Sequence, residues 1–168
     1  MFRNPDNYLF LLQRVKEYSS RFDIAVIVYC LMLNHYHFLL RQDGEHTIVK
    51  FIQGIFNSYT KAFNKAFNRK GTLFEEPFKA LLVGKETHLL HLCRYIHRNP
   101  LEAGLVTHLT DWPYSNYLEW VGQRSGTLFD AKFSQEHFSD SADYKKFVLE
   151  YFPSSEMDQI VQKLSFEN

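Results

Sequence analysis

Cysteine is scarce in this chain of 168 residues. There are two, Cys30 and Cys93, each inside an apolar segment, and there is no Cys-x-x-Cys. That excludes a disulfide-stapled scaffold and points to a reduced, cytoplasmic setting. The first residues, Met1-Phe2-Arg3-Asn4-Pro5-Asp6, lack the apolar core of a secretory leader. No uncharged apolar run is long enough to span a bilayer, so no membrane partner is expected. Internal repeats and low-complexity tracts are also missing. Net charge is zero, yet it is unevenly spread: residues 50–98 carry nine basic side chains against three acidic ones, and residues 99–168 carry five against eleven. A basic middle and an acidic end suit a polyanion-facing surface beside a separate cap; solvated faces that merely differ in charge are the plainer alternative.

Aromatic residues are plentiful, with sixteen Phe and ten Tyr, and most fall in periodic segments that imply a core. Asn4-Pro5 reads as a cap followed by proline at the first helical position, opening a helix over 5–20. Residues 23–33 are rich in β-branched types and read as a buried strand. Asn34 is a turn residue, and 35–41 is the returning strand. A long amphipathic helix follows, with Ile48, Phe51, Ile52, Ile55, Tyr59, Phe63 and Phe67 on its apolar face and Gly71 as its stop. A short strand over 78–83 and a helix over 86–98, closed by Pro100 and Gly104, come next. After Trp112 the pattern changes to polar loops with two short helices, about 142–152 and 155–164. The order predicts an α+β fold, a small antiparallel sheet covered by helices, with residues 1–122 as one domain and 123–168 as a helical C-terminal extension.

Two groups of residues carry chemistry. In Asn34-His35-Tyr36-His37, alternation along a strand sends both imidazoles to one side and Tyr36 to the other. Two neutral imidazoles side by side can bind a divalent metal; an ordinary pair of surface histidines is the alternative. In the second group, Tyr95 and Asn99 are four apart and share a helix face, which extends back through His91 and His88. Pro100 disfavours helical geometry at Asn99, which is therefore expected at a frayed end. Taken alone, this is also how a packed tyrosine with an Asn cap would look. Together the groups make a coherent site. A phenol is a weak nucleophile near neutral pH, and an adjacent metal can polarise a phosphodiester for it. Two imidazoles and an amide oxygen leave metal positions open for phosphate and suit Mg²⁺ or Mn²⁺, with the histidines favouring Mn²⁺. The product would be a covalent phosphotyrosine, which conserves the energy of the broken bond.

These residues resemble a known family. His35-Tyr36-His37 is similar to the His-hydrophobic-His motif of the single-tyrosine HUH transposases. The stretch from Leu31 to Leu40 resembles the signature of the branch related to REP-associated tyrosine transposases, as does Tyr95-Ile96-His97-Arg98-Asn99-Pro100 with Ala103-Gly104-Leu105-Val106 after it. Gly71-Thr72-Leu73-Phe74 with Phe78-Lys79, and Trp112-Pro113-Tyr114-Ser115-Asn116-Tyr117, resemble two further blocks, so the likeness runs from residue 1 to about 122.

The resemblance implies a ferredoxin-like sheet and metal-dependent cleavage and rejoining of single-stranded DNA through a 5′-phosphotyrosine. It implies His35, His37 and Asn99 as metal ligands and Tyr95 as nucleophile. His97 is the lesser candidate for third ligand, because an i+2 position points away from Tyr95. Lys61, Lys65 and Arg69 would line the DNA, which is expected to form hairpins; a homodimer is compatible with the resemblance. Leu33 stands where the family has proline. The family also carries a strand before the first helix, which residues 1–4 are too few to supply, so the domain is expected to be N-terminally short. An upstream start, a partner's strand or a degraded copy would each account for that. The alternatives to a transposase are a non-cleaving protein that binds DNA hairpins and a phosphodiesterase that uses water.

Overall fold

The computed structural model describes residues 1–150. Helix α1, Pro5–Phe22, starts as the cap predicts: the Asn4 side chain accepts from the Asn7 N–H, and Pro5 occupies the first turn. It ends at Asp23, which adopts the left-handed conformation and donates its N–H to the Ser19 carbonyl. Strand β1, Ile24–Leu31, then pairs antiparallel with β2, Tyr36–Gln42. Helix α2 spans Ile48–Ala66, capped by the Thr47 hydroxyl, and α3 spans Glu86–Glu102. Three shorter helices follow: α4 (Tyr117–Trp120), α5 (Ala131–His137) and α6 (Ser141–Leu149). The α+β class read from the element order holds: a two-stranded antiparallel sheet with helices packed on it, and helices in the C-terminal extension.

The sheet divides two cores. Ile24, Val26, Tyr29 and Leu31 of β1, with Tyr36, Phe38 and Leu40 of β2, pack against α1 and α2. Ile27, Val28, Cys30 and Met32, with Leu39, pack against α3 and the C-terminal helices. Strict alternation would not produce these sets. A bulge between Val26 and Val28 inserts Ile27 as an extra residue, which keeps the residues on either side of it aimed at their own cores.

The far edge of β1 is closed by the segment 112–120 rather than by a strand. Tyr29 donates its backbone N–H to Asn116 Oδ1 at 2.9 Å, and Asn116 Nδ2 donates to the Ile27 carbonyl at 3.0 Å. The Trp120 indole donates to the same bulge carbonyl, and the Trp112 indole donates to the Leu31 carbonyl, both at 3.2 Å. Backbone bonds from Leu31 N–H to Tyr114 O and from Asn116 N–H to Tyr29 O complete the edge. Asn116 Oδ1 also accepts from His97 Nε2 at 2.9 Å, and His97 Nδ1 accepts from the Tyr144 hydroxyl of α6 at 2.6 Å. A buried network of this kind is satisfied at every member, which is the condition for its being stabilising.

Four local expectations change. Residues 78–83 are irregular and form no strand, so the outer edge of β2 has no strand partner among the described residues. Helix α2 stops before Gly71: Asn68, with φ of 49°, already turns left-handed. Pro100 does not end α3 but lies buried within it, and left-handed Gly104 is where the chain turns away. Helix α5 had not been expected. The helix expected at 142–152 is α6, and the one at 155–164 lies outside the described residues.

Replacing Asn116 with Ala should remove two bonds to β1 and strand the His97 ring, costing about 2–4 kcal/mol in urea unfolding. Burial holds His97 down to about 3, with the Asn116 hydrogen bond opposing. The folded state therefore refuses a proton that the unfolded chain accepts below its ordinary value near 6.5. This group's contribution to stability is intact above that value and falls as the pH drops towards 3. Unfolding free energy at pH 5.5 should lie about 1.4 kcal/mol below that at pH 7.5 from this group alone.

Candidate active site

The period of β2 places the histidines. Tyr36 stacks on Phe56 of α2, with centroids 4.1 Å apart, so the next residue points the other way. His37 meets Tyr95 of α3 edge to face, with ring centroids 5.7 Å apart and planes at 75°. His35 and His37 lie 5.0 Å apart at 83°. Asn99 follows Tyr95 by one turn, and its Nδ2 donates to the Tyr95 carbonyl at 2.9 Å. Because α3 runs on through Pro100, Asn99 is held on a continuous helix rather than at a frayed end. The structure thus brings His35, His37, Tyr95 and Asn99 together within one chain.

The electrostatics of the pair favour neutral rings. Burial lowers His37 to about 4; the neighbouring His35 adds to that, and the nearby Asn99 side chain opposes it. Burial also lowers His35. Both imidazoles are therefore uncharged at pH 7, the form that coordinates metals. His37 Nε2 is shielded from solvent with no hydrogen-bond partner among the described residues. A buried imidazole nitrogen without a partner is costly unless something fills its lone pair or takes its proton. Asn34 has a part that its reading as a turn residue missed: its Oδ1 accepts from His35 Nδ1 at 2.8 Å, which leaves Nε2 of that ring as the lone-pair nitrogen. An Asn directly before a metal-type His is the available signal. Among the described residues no three His, Cys, Asp or Glu side chains gather around one point, so any metal here would rest on two imidazoles and the Asn99 amide.

Other candidates go elsewhere. His97 faces away from Tyr95, as its i+2 position implies, and is fully engaged by Asn116 and Tyr144. His91 lies 6.4 Å from the Phe147 ring of α6. Lys61 and Lys65 are exposed on α2 and Arg69 is exposed just after it, in the layer on the opposite face of the sheet from His37.

Comparison with known families now adds the decisive observation. The family model described as transposase IS200-like matches residues 3–99, more than half of the chain and all of the residues gathered here. The chain belongs to the IS200-like transposase family. No curated protein and no solved structure matches it. Membership supports a role in transposition, and the family match runs from α1 through β1, β2 and α2 to Asn99 of α3. The C-terminal helices that pack on α3 lie beyond it. No helix among the described residues is long and apolar enough to cross a membrane.

If the two rings and Asn99 hold a divalent ion, Mn²⁺ should raise the melting temperature. At a hundredfold excess over its dissociation constant the stabilisation would be about 2.7 kcal/mol. His37→Ala should abolish that shift in a thermal melt, while Tyr95→Phe should keep it.

Proposed function

We propose that this IS200-like transposase cleaves and rejoins single-stranded DNA at the site formed by His35, His37, Tyr95 and Asn99. One observation carries the reading: a tyrosine ring packs directly on an imidazole pair whose inner nitrogen has no partner. His35, His37 and Asn99 would hold Mg²⁺ or Mn²⁺, which when bound supplies Lewis-acid polarisation of a phosphodiester oxygen.

The chain's own residues divide the remaining work. Tyr95 Oη attacks phosphorus, a bond forms between them, and the bond from phosphorus to the 3′ oxygen breaks. The phenol gives up its proton, and the departing 3′ oxygen gains one through solvent. The 5′ phosphate stays on Tyr95 until a 3′ hydroxyl reverses the step, so no external energy source is needed. Helix α3 carries the nucleophile on a rigid element, and the Asn99 bond to the Tyr95 carbonyl fixes the two residues relative to each other. Lys61, Lys65 and Arg69 would contribute phosphate contacts away from the reacting bond.

The test is a panel of hairpin-forming single-stranded DNAs incubated with the full chain and Mn²⁺, followed by a denaturing gel. The expected result is a covalent protein–DNA adduct that Tyr95→Phe abolishes and that His37→Ala reduces at least a hundredfold. DNA bound without an adduct would replace this reading with a non-cleaving hairpin-binding protein. Cleavage that survives Tyr95→Phe would replace it with water-dependent hydrolysis.

A further inference from the structure

The tip of the hairpin that carries His35 has a second feature beside it. The backbone N–H of Phe2 bonds to the Leu33 carbonyl at 3.2 Å, and the Tyr59 hydroxyl of α2 donates to the Met1 carbonyl at 3.2 Å. These bonds fasten residues 1–3 between the hairpin tip and the C-terminal half of α2. Arg3 therefore lies at the same end of the sheet as the His pair. Its guanidinium sits 5.0 Å from the Phe67 ring centroid and 5.7 Å from that of Phe63. Arg69 reaches the same Phe63 ring, at 5.8 Å.

Both arginines are exposed, and neither guanidinium has a carboxylate or other hydrogen-bond partner among the described residues. A guanidinium laid against an aromatic ring keeps its planar fork of N–H donors at the edge, oriented before any ligand arrives. Two such forks that share the Phe63 ring, with Lys65 and Lys70 nearby in sequence and Asp6, Glu75 and Glu76 as the acidic residues nearest in sequence, can meet anionic oxygens together. Exposed Leu33 and Asn34 lie between this platform and His35, so a strand whose phosphate sits at the His pair can run over the tip onto it.

We propose that Arg3 and Arg69 form a phosphate-binding platform for the single strand that passes the His35–Tyr95 site. The inference rests on the DNA reading above and adds to it Arg3, the aromatic base formed by Phe63 and Phe67, and the route across the hairpin tip. Phosphate contacts carry no base information, so the platform should grip any single strand. The probe is therefore a fluorescent oligothymidylate, followed by anisotropy with the full chain over a series of salt concentrations and no added metal.

Arg3→Gln and Arg69→Gln keep a stem on the rings and remove the charge. Each should weaken binding by about tenfold and reduce the log–log salt slope by about 0.7. Lys132→Ala, on the exposed face of α5, should bind as wild type does. Unchanged affinity and slope in both glutamine variants, with melting temperatures intact, would overturn the platform. Failure of the wild type to bind oligothymidylate at low salt would overturn it too. The hairpin adduct assay is read separately, so a chain that cuts hairpins yet ignores Arg3 and Arg69 refutes this inference alone.

Discussion

Closure of the β1 edge by Asn116 is the interaction on which the rest of the structure depends. A two-stranded sheet is marginal by itself, and β1 must satisfy its outward backbone groups without a third strand. Asn116 supplies both a donor and an acceptor at that edge, and the Trp112 and Trp120 indoles supply two further donors. The same amide oxygen holds His97 of α3, whose other nitrogen holds Tyr144 of α6. One side chain thus ties together the sheet, the helix that carries Tyr95 and the C-terminal extension. The position of Tyr95 over β2 is a consequence of that tie.

The two faces of the sheet divide the labour. The face toward α1 and α2 is a dense aromatic core, in which Tyr8 stacks on Phe2 at 4.0 Å and on Tyr114 at 3.7 Å. The face toward α3 is apolar along β1 but presents His37 from β2. A neutral, half-buried imidazole with a shielded, unmatched nitrogen sits poorly in a core and well in a coordination site. That contrast separates His37 from His97: His37 is half-buried with a shielded, unmatched Nε2, His97 is buried with both nitrogens matched, and both are held low in pKa.

Much of this was legible in the sequence because it is local. Alternation along a strand puts His35 and His37 opposite Tyr36, and the structure has Tyr36 on Phe56 and His37 on Tyr95. Asn4-Pro5 starts a helix for reasons contained in a few residues. The spacing of four between Tyr95 and Asn99 holds on any continuous helix. What was not legible is what depends on distant partners. The bulge at Ile27 is held by Asn116 and Trp120, roughly ninety residues away in the chain. The run 78–83 has the composition of a strand yet pairs with neither edge of the sheet. Pro100 looked like a stop, yet packing keeps the helix going to Glu102. Arg3 and Arg69 gave no joint signal because only the tertiary fold brings both to Phe63.

The central claim is that Tyr95, and no other of the ten tyrosines, becomes bonded to DNA phosphate. The most direct measurement is peptide mass spectrometry of the protein–DNA species after exhaustive nuclease digestion. The account predicts a nucleotide phosphate remnant on the peptide that contains Tyr95 and on no other. A remnant on a different tyrosine, or product strands released with every tyrosine unmodified throughout the reaction, would contradict it.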